Sequence, residues 1–234
     1  AGGVRSGLRE IDQHVAPESP VLATALDHAR RRNGTIEATS LWSDDPAGDI
    51  LRLAAEPRLG WVFLGFHRPV FGDDLLGGVV REVVQRAPAM ALSVGVVVHG
   101  HERPLDRVVV VADDSDDGAA ALELGARFAE TLGSRTHVVL VADGSEPTPA
   151  LLAQVRAAGR GSGRWLFTDV LAKRTPAELA FKTQGDLVLL GYGLADELGL
   201  PLDDTPGKER CVLVVQGARR PRAAAHVEEA KRAG

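Results

Sequence analysis

The stretch that decides the fold spans residues 106–141 and reads DRVVVVADDSDDGAAALELGARFAETLGSRTHVVLV. Its continuous apolar run, Val108–Ala112, is typical of a strand buried in a parallel sheet. Ser115 then predicts a helix cap, followed by acids in the first turn, where they suit the helix dipole. Apolar residues recur at helical spacing until Gly133 ends the helix, and Thr136–Val141 is the next predicted strand. The stretch therefore predicts a β-α-β unit.

A weaker copy of this unit begins the chain. Leu8–Val15 predicts a poor first strand. Ser19 followed by Pro20 predicts a helix start, because proline suits the first helical position. The helix is predicted to stop at Asn33-Gly34, with a strand following over residues 35–42. The chain therefore contains an internal repeat.

Each half continues with two apolar strands, the first of which ends in glycine. These strands are Trp61–Gly65 and Ala91–Val98 in the first half, and Leu187–Gly191 and Cys211–Gln216 in the second. The second half is longer, and its extra length predicts a helix over residues 148–158 and a strand over residues 164–168.

Strands that alternate with helical segments predict an α/β fold in which helices cover both faces of a parallel sheet. The prediction is two tandem Rossmann-like halves, a shortened first half over 1–100 and a second half over 105–217, followed by a tail over 218–234. The polar connection Gly100–Pro104 is short, so we expect the halves to pack on each other.

The composition limits the class of protein. The chain has 234 residues, of which 44% are hydrophobic and 25% charged, as expected for a folded globular protein. A net charge of -5 argues against a nucleic-acid partner. The single cysteine, Cys211, excludes an internal disulfide and a cysteine-based zinc site, fits a reducing compartment and is expected to be a buried strand residue. No apolar stretch of the sequence reaches the roughly 18 residues that span a bilayer.

The first candidate ligand site follows the strand that ends at Gly65, in GFHRPVFGDDLLGGVVREVVQRAP (65–88). Glycines allow the backbone to approach a ligand, and the free amides of a helix starting at Gly77-Gly78 suit a phosphate. The alternative is a glycine-rich structural turn with a solvated His-Arg pair, since this is neither a P-loop nor GxGxxG. The candidate residues are Gly65, His67, Arg68, Gly72, Gly77, Gly78 and Val79.

The second candidate site is ADDSDD, residues 112–117, after the first strand of the second half. A carboxylate here suits the hydroxyls or the base amino group of a nucleotide, and the alternative is a solvated acidic helix start. A bound cation is disfavoured because the EF-hand spacing and its distal glutamate are missing, so no metal site is predicted. The candidate residues are Ala112, Asp113, Asp114 and Ser115.

Enzyme signatures are absent from the sequence. It contains no GxSxG nucleophile elbow, no HExxH and no GxxxxGK[ST]. We therefore expect the chain to bind and regulate rather than to catalyse.

Two features of the second half resemble the universal stress protein domain. The run VVVVADDSDDGAAALELGARFAETLGSRTHVVLV is similar to the opening of that domain, and LVLLGYG is similar to its fourth strand. The tandem resemblance covers nearly the whole chain and implies two domains of the universal stress protein (HUP) type. It also implies that Asp113 or Asp114 faces a nucleotide.

A segment of the first half, WVFLGFHRPVFGDDLLGGVVREVVQRAPAMALSV (61–94), resembles the tandem stress-protein-like tails of cation:proton antiporters of the sodium/proton exchanger type. This resemblance implies a regulatory domain at the inner face of the cell membrane. Its partner is then its own upstream membrane transport domain, so Ala1 is not expected to be the natural start. The resemblance also implies a homodimer through the terminal strands at 91–98 and 211–216. The alternative is that these strands satisfy each other within one chain.

Both halves depart from the G-x2-G-x9-G-[ST] loop of nucleotide-binding stress proteins. The first half has altered glycine spacing, and the second has Gly191-Tyr192-Gly193 followed by acids that would repel phosphate. Any phosphate contact is therefore expected in the first half, from an adenine nucleotide such as ATP, AMP or cyclic di-AMP. Two alternatives stay open: a free-standing tandem stress protein that binds ATP or AMP, and a ligand-free dimerisation scaffold.

Overall fold

The computed structural model describes residues 9–10, 20–31, 41–55, 60–65, 78–99, 105–142, 146–160, 165–171, 185–198 and 211–218. Packing divides the chain into two compact units, Ala1–Leu53 and Ala54–Gly234. The predicted stop at Asn33-Gly34 and the connection Gly100–Pro104 lie outside the described residues, as does the tail beyond Ala218.

The first unit contains α1 (Pro20–Arg31) and two short strands, β1 (Arg9–Glu10) and β2 (Leu41–Trp42). The helix begins at Pro20, as predicted. The strands pair antiparallel, so the expectation of parallel pairing is wrong for them. The physical reason lies in LREIDQHV, where charged residues interrupt the apolar ones, whereas a parallel strand buried on both faces needs a continuous apolar run.

A helix that the sequence analysis did not predict, α2 (Pro46–Ala54), begins in this unit. The Gly48 N–H donates to Asp45 Oδ1 at 2.9 Å, which caps the helix start. The Asp49 carboxylate accepts a hydrogen bond from the Ser43 hydroxyl and one from the Arg52 guanidinium, both at 2.6 Å. These contacts account for a helix start immediately after β2.

The described part of the second unit contains a seven-stranded sheet. Its strands are β3 (Trp61–Gly65), β4 (Ser93–His99), β5 (Arg107–Ala112), β6 (Arg135–Val141), β7 (Trp165–Leu171), β8 (Leu187–Gly191) and β9 (Cys211–Gln216). Their order across the sheet is β3-β4-β9-β8-β5-β6-β7. All neighbours run parallel except β4 and β9, which run antiparallel.

The strands of the second predicted half, β5 to β9, follow the order of a doubly wound fold. Chain order reverses between β5 and β8, which makes their carboxyl ends a topological switch point. The strands β3 and β4 extend this sheet through the antiparallel pair, in which Val96 lies opposite Val214. Because β4 lies between β3 and β9, and β9 between β4 and β8, neither strand offers an edge to a second chain. The two predicted terminal strands therefore satisfy each other, and a dimer through these edges is wrong.

The described part of the second unit also contains the α-helices α3 (Gly78–Arg86), α4 (Asp116–Leu132), α5 (Pro149–Ala158) and α6 (Tyr192–Leu198), and a short 3-10 helix over Ala87–Met90. The predicted boundaries of α4 are confirmed. The Ser115 hydroxyl accepts the Gly118 N–H at 3.0 Å, and Gly133 ends the helix at a φ of 68°. Thr148 caps α5 in the same way through the Leu151 N–H at 3.1 Å.

The core lies between the sheet and the helices α4 and α5. One face of the strands contributes Val108, Val110, Val138, Leu140, Leu187, Leu189, Leu213 and Val215. Helix α4 approaches β5 closely at Gly125, where an added Cβ would lie 2.4 Å from Val110 Cγ2. Val109 and Val111, which point to the opposite face of β5, are also fully buried, as predicted for a parallel strand. None of the helices in the described segments is long and apolar enough to cross a bilayer.

Candidate functional site

The loop after β5 holds the predicted acidic residues close to its own backbone. Ala112 is fully buried at the end of the strand, Asp113 is half-buried, and Asp114 and Ser115 are exposed. Asp113 Oδ1 accepts hydrogen bonds from the Ser115 hydroxyl and from the Ser115 N–H, the latter at 3.2 Å. The Asp113 carboxylate thus shapes the turn that leads into α4.

Asp114 connects this loop to the next one. Its Oδ1 accepts the Thr148 hydroxyl at 2.7 Å, and Thr148 is also the residue that caps α5. The loops after β5 and β6 are therefore tied together at the carboxyl edge of the sheet. Asp113 and Asp114 are the two acids predicted to face a nucleotide. In each of them, Oδ1 accepts a hydrogen bond from the protein itself.

A different acid, Asp117, occupies the switch point. Its side chain is buried, with 8% of the residue exposed. Oδ2 accepts the Gly193 N–H at 3.0 Å, which reaches from α4 to the start of α6. Oδ1 accepts the side-chain amide of Gln216, the last residue of β9, at 3.1 Å and the N–H of the following residue, Gly217, at 2.8 Å. Three donors from two other segments converge on one carboxylate.

Glycines allow this convergence. An added Cβ at Gly191 would lie 2.9 Å from Asp117 Cβ, and one at Gly217 would lie 2.2 Å from the Asp116 carbonyl oxygen. The first turn of α4 is thus in direct contact with the ends of β8 and β9, and the Asp117 carboxylate spans the place where an open α/β sheet accepts its ligand.

The electrostatics of this place disfavour an anion. Burial raises the pKa of Asp117, the N–H groups of Gly217 and Gly193 oppose that rise, and the nearby carboxylates Asp113 and Asp116 add to it. The charges of all three acids would repel a phosphate. Sequence analysis placed Asp117 in the acidic stretch 112–117 and in the first turn of the helix but not among the candidate site residues, because its partners Gly193 and Gly217 lie 76 and 100 positions further along the chain.

The first candidate site is described only at its two ends. Gly65 ends β3 and Gly78 begins α3, both exposed, and Val79 is 42% exposed. No described heavy atom lies within 4 Å of a Cβ added at either glycine. The helix start at Gly78 is confirmed. His67, Arg68, Gly72 and Gly77 lie outside the described residues.

The described residues contain no group of three or more histidine, cysteine, aspartate or glutamate side chains placed to hold a metal ion. Cys211, expected to be buried, is half-buried at the start of β9, and burial raises the pKa of its thiol.

Comparison with solved structures identifies the fold. A universal stress protein from Archaeoglobus fulgidus DSM 4304 superposes with a TM-score of 0.53 at 16% identity, covering 90% of this chain and 81% of that one. The chain has the universal stress protein fold. The cytoplasmic domain of a prokaryotic cation chloride cotransporter superposes with a TM-score of 0.57 at 10% identity, covering 89% of this chain and 82% of that one.

A universal stress protein in complex with cAMP matches 48% of this chain and 97% of its own at 24% identity, with a TM-score of 0.37. Comparisons with protein-family models and with curated proteins give no match. At these sequence identities, the likeness shows a shared fold and nothing finer.

Proposed function

We propose that the chain is the cytosolic regulatory module of a monovalent cation:proton antiporter, joined to a membrane transport domain upstream of residue 1. The observation that carries this proposal is the universal stress protein fold in a chain whose residues 61–94 resemble antiporter tails. The likeness to a cotransporter's cytoplasmic domain supports it, because that likeness spans 89% of the chain. The module acts by binding, without catalysis, at the inner face of the membrane.

The proposed ligand is an adenine nucleotide, either ATP, AMP or cyclic di-AMP, bound by the first half. The closed switch point of the second half supports this choice, because the Asp117 carboxylate and its hydrogen bonds occupy it. No described heavy atom lies within 4 Å of a Cβ added at Gly65 or Gly78, and the helix start at Gly78 supplies amides for a phosphate.

The ligand proposal is tested by thermal unfolding of the chain with ATP, AMP, cyclic AMP and cyclic di-AMP. A ligand at 100 times its dissociation constant stabilises the fold by about 2.7 kcal/mol. For a chain of this size, that raises Tm by roughly 5–10 °C. Gly78→Asp and Arg68→Glu should abolish the shift by placing negative charge beside the phosphate, and Asp114→Asn should keep it.

Two outcomes would change the proposal. No shift with any of the four ligands would favour the ligand-free scaffold, the second candidate function, which the closed crevice of the second half already favours. A shift abolished by Asp114→Asn and kept by Gly78→Asp would place the site in the second half.

The regulatory role is tested in the complete transporter. Everted vesicles that carry the antiporter with or without residues 1–234 are compared for cation-driven proton exchange. We expect deletion to change the rate or its dependence on the nucleotide. Equal rates in both preparations, with or without nucleotide, would overturn the regulatory role.

We retain the homodimer as part of the proposal, through a surface other than the edges of β4 and β9. Light scattering over a wide range of concentrations checks it, and a monomeric mass throughout would remove it.

A further inference from the structure

Asp117 is the only carboxylate that the described part of the chain buries. Each of its oxygens receives N–H donors from other segments: Oδ2 from Gly193 at the start of α6, and Oδ1 from Gly217 and from the Gln216 side chain. One ionisable side chain on α4 therefore holds the start of a second helix and the residue that follows the last strand.

Ala218, the residue after Gly217, is held by a neutral acceptor. The Ala218 N–H donates to the Ser93 hydroxyl at 3.2 Å, and Ser93 is buried at the start of β4. The chain beyond β9 is thus fixed at two successive amides, of which one bonds an ionisable acceptor and the other a neutral one. The residues that follow Ala218 read RRPR (219–222), so the sequence there is basic.

Protonation of Asp117 would weaken this arrangement. A proton on either oxygen turns that oxygen into a hydroxyl, which is a poorer acceptor for the N–H groups that face it, and it adds an O–H donor among three N–H donors. The bonds lose their charge assistance, which roughly halves their strength.

The surroundings favour uptake of that proton. The charged groups that act on Asp117 among the described residues are Asp113, before α4, and Asp116, beside it on α4. The hydrogen bonds and close contacts that reach Asp117 from other elements come from groups that do not titrate: the Gly193 amide of α6, Gly191 of β8 and the Gln216 side-chain amide of β9. Burial and the two like charges raise the pKa of Asp117.

We propose that Asp117 is a proton-operated latch, which fixes the start of α6 and the root of the C-terminal tail when ionised and frees them when protonated. The latch is independent of the nucleotide response proposed above. Its opening is local. Because the raised pKa means that the folded chain binds this proton more readily than the unfolded chain, protonation opens the latch without lowering the global stability.

The test is a pH titration of the ¹⁵N-labelled full chain by NMR, from about pH 7.5 to about pH 4, across the ordinary carboxyl range. We expect the amides of Gly193 and Gly217 and the Gln216 side-chain amide to move upfield together, with one apparent pKa above that of an ordinary aspartate. The heteronuclear NOE of Gly217 and Ala218 should fall over the same interval.

Three variants make the test specific. Asp117→Asn should abolish the common titration, whereas Asp116→Asn, the matched change on the same turn, should keep it. Asp113→Asn leaves the three latch bonds in place and should lower the apparent pKa, which keeps the test decisive if Asp117→Asn does not fold. Three amides with unrelated titrations, an unaltered apparent pKa in Asp113→Asn, or a constant NOE at Gly217 and Ala218 would each overturn the latch.

Discussion

Substitution of Gly125 by alanine tests the close packing of α4 on β5. The new Cβ would lie 2.4 Å from Val110 Cγ2, against an ordinary separation of about 3.5–4.0 Å between non-bonded carbons. Val110 is fully buried in the sheet, so the strain falls at the upper end of the about 1–3 kcal/mol that overpacking costs. Alanine recovers about 1 kcal/mol of helix propensity. We expect a net loss of about 2 kcal/mol in the free energy of unfolding.

The same substitution should change sign once Val110 is shortened. In a Val110→Ala background the clashing methyl is gone, and the next atom, Leu189 Cδ1, lies at an ordinary 3.6 Å. Gly125→Ala should then stabilise the chain by about 1 kcal/mol through helix propensity alone. Urea unfolding of the four proteins in this cycle gives the coupling, expected near 3 kcal/mol. An equal cost of Gly125→Ala in both backgrounds would refute the steric argument.

Three further outcomes are expected from the described contacts. Ser115→Ala removes the cap bond to the Gly118 N–H and should lower the free energy of urea unfolding by about 1 kcal/mol, whereas Ser115→Asn should retain most of it. Gly95→Ala places a Cβ 2.7 Å from the Phe63 ring, but that residue is 52% exposed and can turn away, so calorimetry should show a loss below about 1 kcal/mol. The raised pKa of Asp117 makes its contribution to stability greatest below the ordinary carboxyl pKa, and that contribution is lost as pH rises through the folded-state value. Unfolding free energies measured across this interval should therefore decline more in the wild type than in Asp117→Asn, and equal slopes would contradict the assignment.

The sequence predicted the elements whose local signals agree with one another. The cap at Ser115, the apolar period of α4 and the stop at Gly133 all indicate one helix, and the structure places it over Asp116–Leu132. The runs WVFLG and LVLLG gave β3 and β8 with their correct bounds, because continuous apolar residues between polar segments leave little choice of boundary.

The starts of two helices were not predicted although their signals are local. The start of α2 has a capping aspartate, Asp45, followed by Pro46 at the first helical position, a combination that predicts a helix. The helix α6 begins at the residue after β8, where the sequence analysis noted Gly191-Tyr192-Gly193 only as a departure from the family's glycine loop. Resemblance to a nucleotide-binding pattern obscured the simpler structural interpretation of GYG.

The candidate site shows the limit set by distance along the chain. The turn around Asp113 is local, and its position after β5 follows from the sequence. The role of Asp117 depends on Gly193 and Gly217, which no period or motif connects to it. The pairing of β4 with β9 was equally out of reach of the sequence. The apolar content of a strand indicates that it is buried but does not indicate which strand lies beside it.

The position of β9 has a consequence for how the chain is made. This strand lies between β4 and β8, yet it is synthesised after every other strand that the structure describes. At about 5–20 residues per second, the ribosome takes roughly 6–22 seconds to extend the chain from His99 to Cys211. Throughout that interval the inner edge of β4 has no partner, and a β9 from another chain fits it as well as its own. Domain-swapped assembly during rapid synthesis is therefore the characteristic hazard of this topology, and slow elongation before Cys211 would extend the exposure.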